Sequence, residues 1–347
     1  MAQQTNHLYF PPPGRGLDPQ AVRHAAQVGL DLELIARLDR FADDRRDERK
    51  TADQRWALWR HGYLVHVTGD FDAAVDVASQ RKTWHALIVG AALQQGKIPS
   101  LDQKLNVWQP ELSGPHAEAT WRDVLTQSAG FDYPHGEHPA YEPGEMWTYS
   151  DWNLVHLCHA LARVYGKEGF YDDYADVAAE AYFDAIGMRG WGTDVVFDRS
   201  SRMDDGVRFV LSLEHMGRLG LLALARGTWN GEELIPRAFV ESLETKQTYG
   251  MQVNYDGPYD GKIGLDPDEF PEAPYGYLTW VNTDGDLFPG ADRAWAMATG
   301  AGGMRVLWNQ DLGVVYAAIG LKMPFGQPGV PTLVEDGIAG PNPLAST

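Results

Sequence analysis

Apolar and polar residues recur along the chain with two different periods, and the switches between them predict its elements. Pro11-Pro12-Pro13-Gly14 marks an irregular lead-in, after which Leu32, Ile35, Leu38 and Phe41 fall at helical spacing and predict an amphipathic helix over Asp31–Phe41. The mixed charge run Asp43–Lys50 reads as a solvated helix end or loop. Within Trp56–Thr68, the run Tyr63-Leu64-Val65-His66-Val67, bounded by Gly62 and Gly69, predicts a strand paired with its neighbour through a short turn. From Ser79 to about Gln95, Trp84, Leu87, Ile88, Ala91 and Ala92 return to helical spacing, and Gly96 stops the helix.

Helix or loop patterns then dominate to about Leu243. Candidate helices are Trp121–Ser128, Trp152–Tyr165, Phe170–Ile186, Leu213–Ala225 and Pro236–Leu243. Gly, Pro and Asp crowd residues 250–276, the mark of a long ordered loop of the kind that carries function. Three strand-like runs follow, Tyr275–Val281, Arg305–Trp308 and Gly313–Ile319, with Asn309-Gln310-Asp311 as the turn between the last two. Strands at both ends and helices between them predict an α/β (α+β) sandwich, an antiparallel sheet closed by both termini with a helical insert at its side. The expected division is 1–84 with 271–347 as the sheet subdomain and 85–270 as the mostly helical one.

Composition narrows the class. The 347 residues are 44% hydrophobic and 22% charged, enough to bury a large core. Against 29 Lys and Arg stand 48 Asp and Glu, so a net charge of −19 argues against nucleic acid or an anionic membrane as partner. The single cysteine, Cys158, excludes an internal disulfide framework. The N-terminus lacks a basic stretch followed by an apolar one, and the longest apolar run, Ala86–Leu93, is too short to span a bilayer. A soluble, cytoplasmic protein is the expectation. The composition leaves the oligomeric state open.

Candidate chemistry begins at Ser79-Gln80-Arg81-Lys82, where a helix should start. Helical positions three apart share a face, so the Ser79 hydroxyl and the Lys82 amine can meet. A hydroxyl is a weak nucleophile until a base takes its proton, and a desolvated lysine can be that base. The free N–H groups of a helix start would help to hold an oxyanion. Ten serines and eight lysines predict roughly 0.2 such tetrads by chance, so the tetrad alone decides little, and a capping Ser beside an exposed Lys explains it equally well.

Two later stretches supply context: Pro143-Gly144-Glu145-Met146-Trp147-Thr148-Tyr149-Ser150-Asp151, and Gly300-Ala301-Gly302-Gly303 before a late strand. The order resembles the serine β-lactamase and penicillin-binding-protein superfamily, specifically class C β-lactamase-related esterases and 6-aminohexanoate-dimer hydrolases. In that family Ser-x-x-Lys comes first, Tyr-Ser-Asn second and a glycine-bearing strand third. Ala91–Ile98 with Leu101-Asp102, Thr120–Gly130, Tyr275-Gly276-Tyr277 and Gly313-Val314-Val315 also resemble it, so the likeness covers roughly residues 55–320. The resemblance implies a hydrolase working through an acyl-enzyme without a cofactor. Ser79 would attack a carbonyl, Lys82 and Tyr149 would share the work of base and acid, and the N–H groups of Ser79 and Ala301 would hold the oxyanion. Unperturbed Lys and Tyr titrate near pH 10, so freeing either at neutral pH costs about 4 kcal/mol, which a buried pair sharing one proton can lower.

The chain departs from that pattern twice. Asp151 stands where the family has Asn. A carboxylate donates no hydrogen bond to a substrate carbonyl, and beside Lys82 it would favour the charged amine. Either Tyr149 then carries the base role, or Asp151 points away and caps the helix starting near Trp152. The third stretch, Ala298-Thr299-Gly300-Ala301-Gly302-Gly303, lacks the family's cation, so an anionic substrate is disfavoured by about 1–3 kcal/mol if the charges are partly buried. The expected substrate is a neutral or amine-bearing carboxylic ester or amide. Asp151, Gly300 and Gly302 are assigned to substrate contact, with Trp191 and Trp280 as pocket walls.

Three rivals are weighed. His135, His138, His156 and His159, with Cys158, offer zinc ligands for a metallohydrolase, although solvent-facing and packed histidines are the plainer reading, and no metal is expected. A binding protein that keeps the fold but has lost catalysis is the second. Acyl transfer to an alcohol or amine, through the same acyl-enzyme, is the third.

Overall fold

The computed structural model describes residues 8–14, 22–47, 53–131, 141–167, 173–198, 203–255 and 265–340. In chain order its strands are β1 (Arg55–Arg60), β2 (Tyr63–Thr68), β3 (Val75–Asp76), β4 (Met146–Trp147), β5 (Gly192–Asp198), β6 (Met203–Leu211), β7 (Thr228–Trp229), β8 (Glu232–Glu233), β9 (Gln252–Val253), β10 (Trp280–Val281), β11 (Trp295–Gly300), β12 (Met304–Asn309) and β13 (Val314–Ile319). The α-helices are α1 (Leu34–Asp44), α2 (Arg81–Gln94), α3 (Trp121–Leu125), α4 (Asp151–Val164), α5 (Tyr174–Ala178), α6 (Leu213–Leu224), α7 (Arg237–Leu243) and α8 (Val330–Asp336).

The main sheet has the order β10-β11-β12-β13-β1-β2, and every neighbouring pair is antiparallel. The two ends of the chain meet at its centre, where Trp56 lies opposite Ala318 and Trp59 opposite Val315. The mixed α/β architecture is therefore the one the patterning predicts.

Side-chain alternation along the strands assigns the layers. On one face, α6 comes close enough that a Cβ on Gly217 would overlap the Trp59 ring, and one on Gly220 would sit 2.5 Å from Val315 Cγ1. On the other face, the indole N–H of Trp56 donates to Asp39 of α1 at 3.2 Å, and that of Trp295 donates to Glu335 of α8 at 2.6 Å. Helix α2 lies on the α6 side, with Trp84 beside Trp308 of β12. Its residues from Arg81 to Ala92 are all buried, so apolar side chains around its whole circumference find partners.

Several expected elements shift. Of the expected stripe Leu32, Ile35, Leu38 and Phe41, Leu38 is buried and Ile35 and Phe41 pack half-buried against the core, whereas Leu32 is exposed and the buried line of α1 runs through Leu34, Leu38 and Ala42. Residues 192–198 and 203–211, expected as helix or loop, form strands β5 and β6, which pair with each other, and β6 also pairs with β3. The run Tyr275–Val281 contributes only Trp280–Val281 as strand, plus a Tyr275–Trp280 bridge, and β11 carried no strand signal. Part of the expected helix Phe170–Ile186 and of the glycine-rich loop 250–276 lies outside the described residues. Among the described residues no helix is long and apolar enough to cross a membrane.

Candidate active site

Ser79 sits where the chain turns from strand to helix. Strand β3 pairs with β6, and the Val77 N–H continues that pairing by donating to the Phe209 carbonyl at 3.1 Å. Ala78 then takes a left-handed conformation, φ 50°, which a side-chain-bearing residue adopts only at a cost of about 1–3 kcal/mol. Asp76 holds this turn by accepting from the Ala78 N–H at 2.7 Å, while Arg208 donates to its other oxygen at 2.8 Å. Ala78–Gln80 form one 3-10 turn that leads into α2.

One turn further on, the Lys82 amine donates to Ser79 Oγ at 3.4 Å, so the pairing expected from the tetrad spacing is present. Lys82 is 1% exposed. Its amine also lies over the Tyr149 ring, 4.5 Å from the centroid, a cation–π contact in a desolvated setting. The Tyr149 ring is held on its other sides by aromatics. Trp280 stacks on it at 5.9 Å, and Trp147 and Tyr275 pack at 6.1 and 6.4 Å.

The backbone on both sides of Tyr149 is clamped by one residue that the motif reading did not single out. Gln127, itself at φ 60°, accepts the Thr148 N–H on its carbonyl at 2.9 Å and the Ser150 N–H on its side-chain oxygen at 2.7 Å. Its only signal in the sequence is a place within the family-like stretch Thr120–Gly130.

Asp151 faces the site. Ser150 caps α4, its Oγ accepting from the Trp152 N–H at 3.1 Å, which leaves the Asp151 side chain free to turn inward. Its carboxylate pairs with Lys82 through Oδ1, and Arg81 donates to the same oxygen at 3.3 Å. Arg81 is as buried as Lys82. It occupies a variable position of the tetrad, where nothing in the pattern marks it.

The third motif closes the opposite side of the nucleophile. A Cβ on Gly300 would overlap the Val77 carbonyl oxygen and lie 2.8 Å from the Gln80 nitrogen and 3.1 Å from the Ser79 nitrogen. Only glycine allows β11 to approach so closely. Ala301 follows in the exposed turn between β11 and β12. Gly302 serves that turn, with φ 79° and its carbonyl accepting from the Gly320 N–H at 3.2 Å. The Gly300 edge points at Ser79, so Thr299 and its cross-strand partner Arg305 project from the other face, and Arg305 folds back onto the Gly300 carbonyl at 3.0 Å.

The two tryptophan assignments part company. Trp280 supports the Tyr149 ring, whereas Trp191 packs against Phe183 at 4.6 Å and Phe209 at 6.3 Å, and Phe209 in turn stacks on His85. Trp191 is thus a packing residue of the β5–β6 side. Of the residues weighed as zinc ligands, His135 and His138 lie outside the described residues. His156 exchanges a hydrogen bond with Gln109 at 3.0 Å, and burial lowers its pKa to about 4. Cys158 lies 3.8 Å from His85. Among the described residues no group of three or more His, Cys, Asp or Glu side chains could hold a metal ion.

Residues 38–317 match the family model described as Beta-lactamase. Among solved structures, EstCE1, a hydrolase with promiscuous acyltransferase activity, aligns with TM-score 0.61 and 15% identity over 89% of this chain and 99% of that one. A penicillin-binding protein homologue from Caulobacter crescentus aligns with TM-score 0.59 and 15% identity over 87% and 94% of the two chains. A class C beta-lactamase from Rhodobacter sphaeroides gives 0.56 and 16% over 87% and 97%. At these identities the likeness is one of fold. No curated protein matches the sequence.

Proposed function

The chain belongs to the beta-lactamase family, a family of hydrolases, and on that premise we propose that it is a serine hydrolase acting through an acyl-enzyme on a neutral carboxylic ester or amide. The observation that carries this reading is the contact of Ser79 Oγ with a buried Lys82 amine that also lies over the Tyr149 ring.

The roles follow from which groups can give or take a proton. Lys82, ion-paired to Asp151, is an ammonium that donates to Ser79 Oγ and stabilises negative charge beside it. Tyr149, as its phenolate, accepts the Ser79 proton as Oγ attacks the substrate carbonyl. The oxyanion would be held by the N–H groups of Ser79 and Ala301, a role supported by the close approach of Gly300, the residue before Ala301, to the Ser79 turn. The leaving group takes the proton back from Tyr149, and water releases the acyl group by the reverse sequence.

Substrate charge is argued from the same contacts. Strand β11 carries no Lys, Arg or His, and Arg305 of the neighbouring β12 projects from the far face of the sheet, so neither strand offers a cation on the Ser79 side for a substrate carboxylate. With Lys82 and Arg81 already set against Asp151, an amine-bearing substrate gains less there, which supports a neutral acyl donor over the amine-bearing one.

A panel of activated esters, amides and lactams, with wild type and Ser79→Ala side by side, tests the reading. Ser79→Ala is expected to lower kcat by on the order of 10³–10⁶ and to abolish labelling by a fluorophosphonate. Equal turnover by the two proteins overturns it, and benzylpenicillin hydrolysed as fast as a neutral aryl ester overturns the charge argument. Added alcohol, by diverting the acyl group to a new ester, separates transfer from hydrolysis.

A further inference from the structure

Two consecutive cations, Arg81 and Lys82, are each 1% exposed, and both point at one carboxylate. Burying adjacent like charges is costly unless a counter-charge lies in contact. With Asp151 the cluster carries a formal charge of +1, and with an uncharged residue at 151 it would carry +2. The identities at 81 and 151 therefore depend on each other, although seventy residues separate them in sequence.

We propose that Arg81 and Asp151 form a coupled positioning pair, in which Arg81 fixes the carboxylate so that it holds Lys82 as an ammonium against Ser79. The proposal rests on the serine-hydrolase reading of this site and adds to it the device that divides the proton work between Lys82 and Tyr149. Lys82 keeps its proton throughout, and the proton leaving Ser79 goes to Tyr149. The charged and titratable groups around the Lys82 amine come from every neighbouring element: Arg81 and His85 on its own helix, Asp151 at the start of α4, Tyr149 in the loop before it, and Tyr275, which acts on both Tyr149 and Asp151. His85 is fully buried, and the neighbouring charges of Arg81 and Lys82 add to burial in keeping it neutral. Among the described residues, Asp151 is the carboxylate that both cations contact.

The test is a double-mutant cycle of wild type, Asp151→Asn, Arg81→Gln and the charge-balanced double variant. It is read by kcat/KM against pH on a neutral aryl ester and by urea unfolding. In Asp151→Asn, Lys82 loses its carboxylate while the Arg81 guanidinium stays beside it, so it gives up its proton more readily and competes with Tyr149 as base. The acid limb of the profile is then expected to move to lower pH by a unit or more, with KM changed less than threefold. In the double variant the limb returns toward wild type, and the unfolding constant is at least tenfold more favourable to the folded state than the two single effects predict. Asp151→Asn that fails to fold while the double variant folds also supports the pair. Superimposable pH profiles, single effects that multiply within twofold, or a double variant as unfolded as Asp151→Asn overturn it. Fluorophosphonate labelling of wild type reports on the hydrolase reading separately, because the unfolding cycle reads the pair whether or not Ser79 reacts.

Discussion

Glu244, just beyond α7, is partly buried, and desolvation pushes its carboxyl up to about 8 from an ordinary value of 4.5. Trp308 donates its indole N–H to one oxygen at 2.6 Å and Gln310 its amide to the other, and these bonds pull the value down without cancelling the desolvation. A carboxyl raised in the folded state makes its full contribution to stability below the unfolded value. That contribution is lost as pH rises toward the folded value. Each pH unit of the window is worth about 1.4 kcal/mol, so between roughly pH 5 and 8 the wild type should lose about 4 kcal/mol relative to a variant that cannot ionise there. Glu244→Gln is that variant. It keeps an oxygen for Trp308 but sets its own amide against that of Gln310, whose oxygen is already bonded to Arg226, a pH-independent cost of about 1–3 kcal/mol. Urea unfolding of both proteins at pH 5, 6, 7 and 8 should therefore show Glu244→Gln less stable at the acid end and more stable at the alkaline end, with the curves crossing between. A constant difference across the range would refute the reasoning, since it would mean that the carboxyl ionises alike in both states.

Three further outcomes can be checked directly. His85 is held neutral by burial, its pKa near 3, so folding stability should be lost as pH falls from about 6.5 toward 3; His85→Gln should flatten that acid limb in a thermal-unfolding series, and unchanged acid sensitivity would count against it. Gly300→Ala places a methyl on the Val77 carbonyl and should lower kcat about a hundredfold or more by displacing the Ser79 turn, at a folding cost of about 1–3 kcal/mol. Gln127→Met strands the Ser150 N–H and loosens the Tyr149 loop; kcat should fall about tenfold to a hundredfold while KM holds, and a rise in KM alone would assign Gln127 to substrate binding instead.

What the sequence allowed to be read depended on how local the deciding physics is. The α2 helix was legible because its periodicity and the Gly96 stop are short-range signals, and the Ser79–Lys82 contact because three residues of helix fix it. The face of α1 was not, since Leu32, Leu34, Ile35, Leu38 and Phe41 offer two overlapping apolar stripes and only packing against the sheet selects between them. Strand β11, with three small residues among six, carries a weak propensity and takes its form from pairing with β10 and β12. The orientation of Asp151 was open from sequence because it turns on Ser150 taking the capping role and on Arg81, a residue whose position in the tetrad has no fixed chemistry. Trp191 shows the same limit: an aromatic ring announces burial but not against what.

The pairing of Arg55 with Ile319 at the middle of the main sheet has a bearing on how the molecule comes into being. Contacts so distant along the polypeptide are slow to form, because the loop that joins them must close before the ladder rewards it. During synthesis the β1–β2 ribbon and the helix behind the nucleophile wait with apolar flanks uncovered until the last hairpin emerges. Reactivity at Ser79 should accordingly be the last property acquired on refolding, trailing the recovery of helical signal.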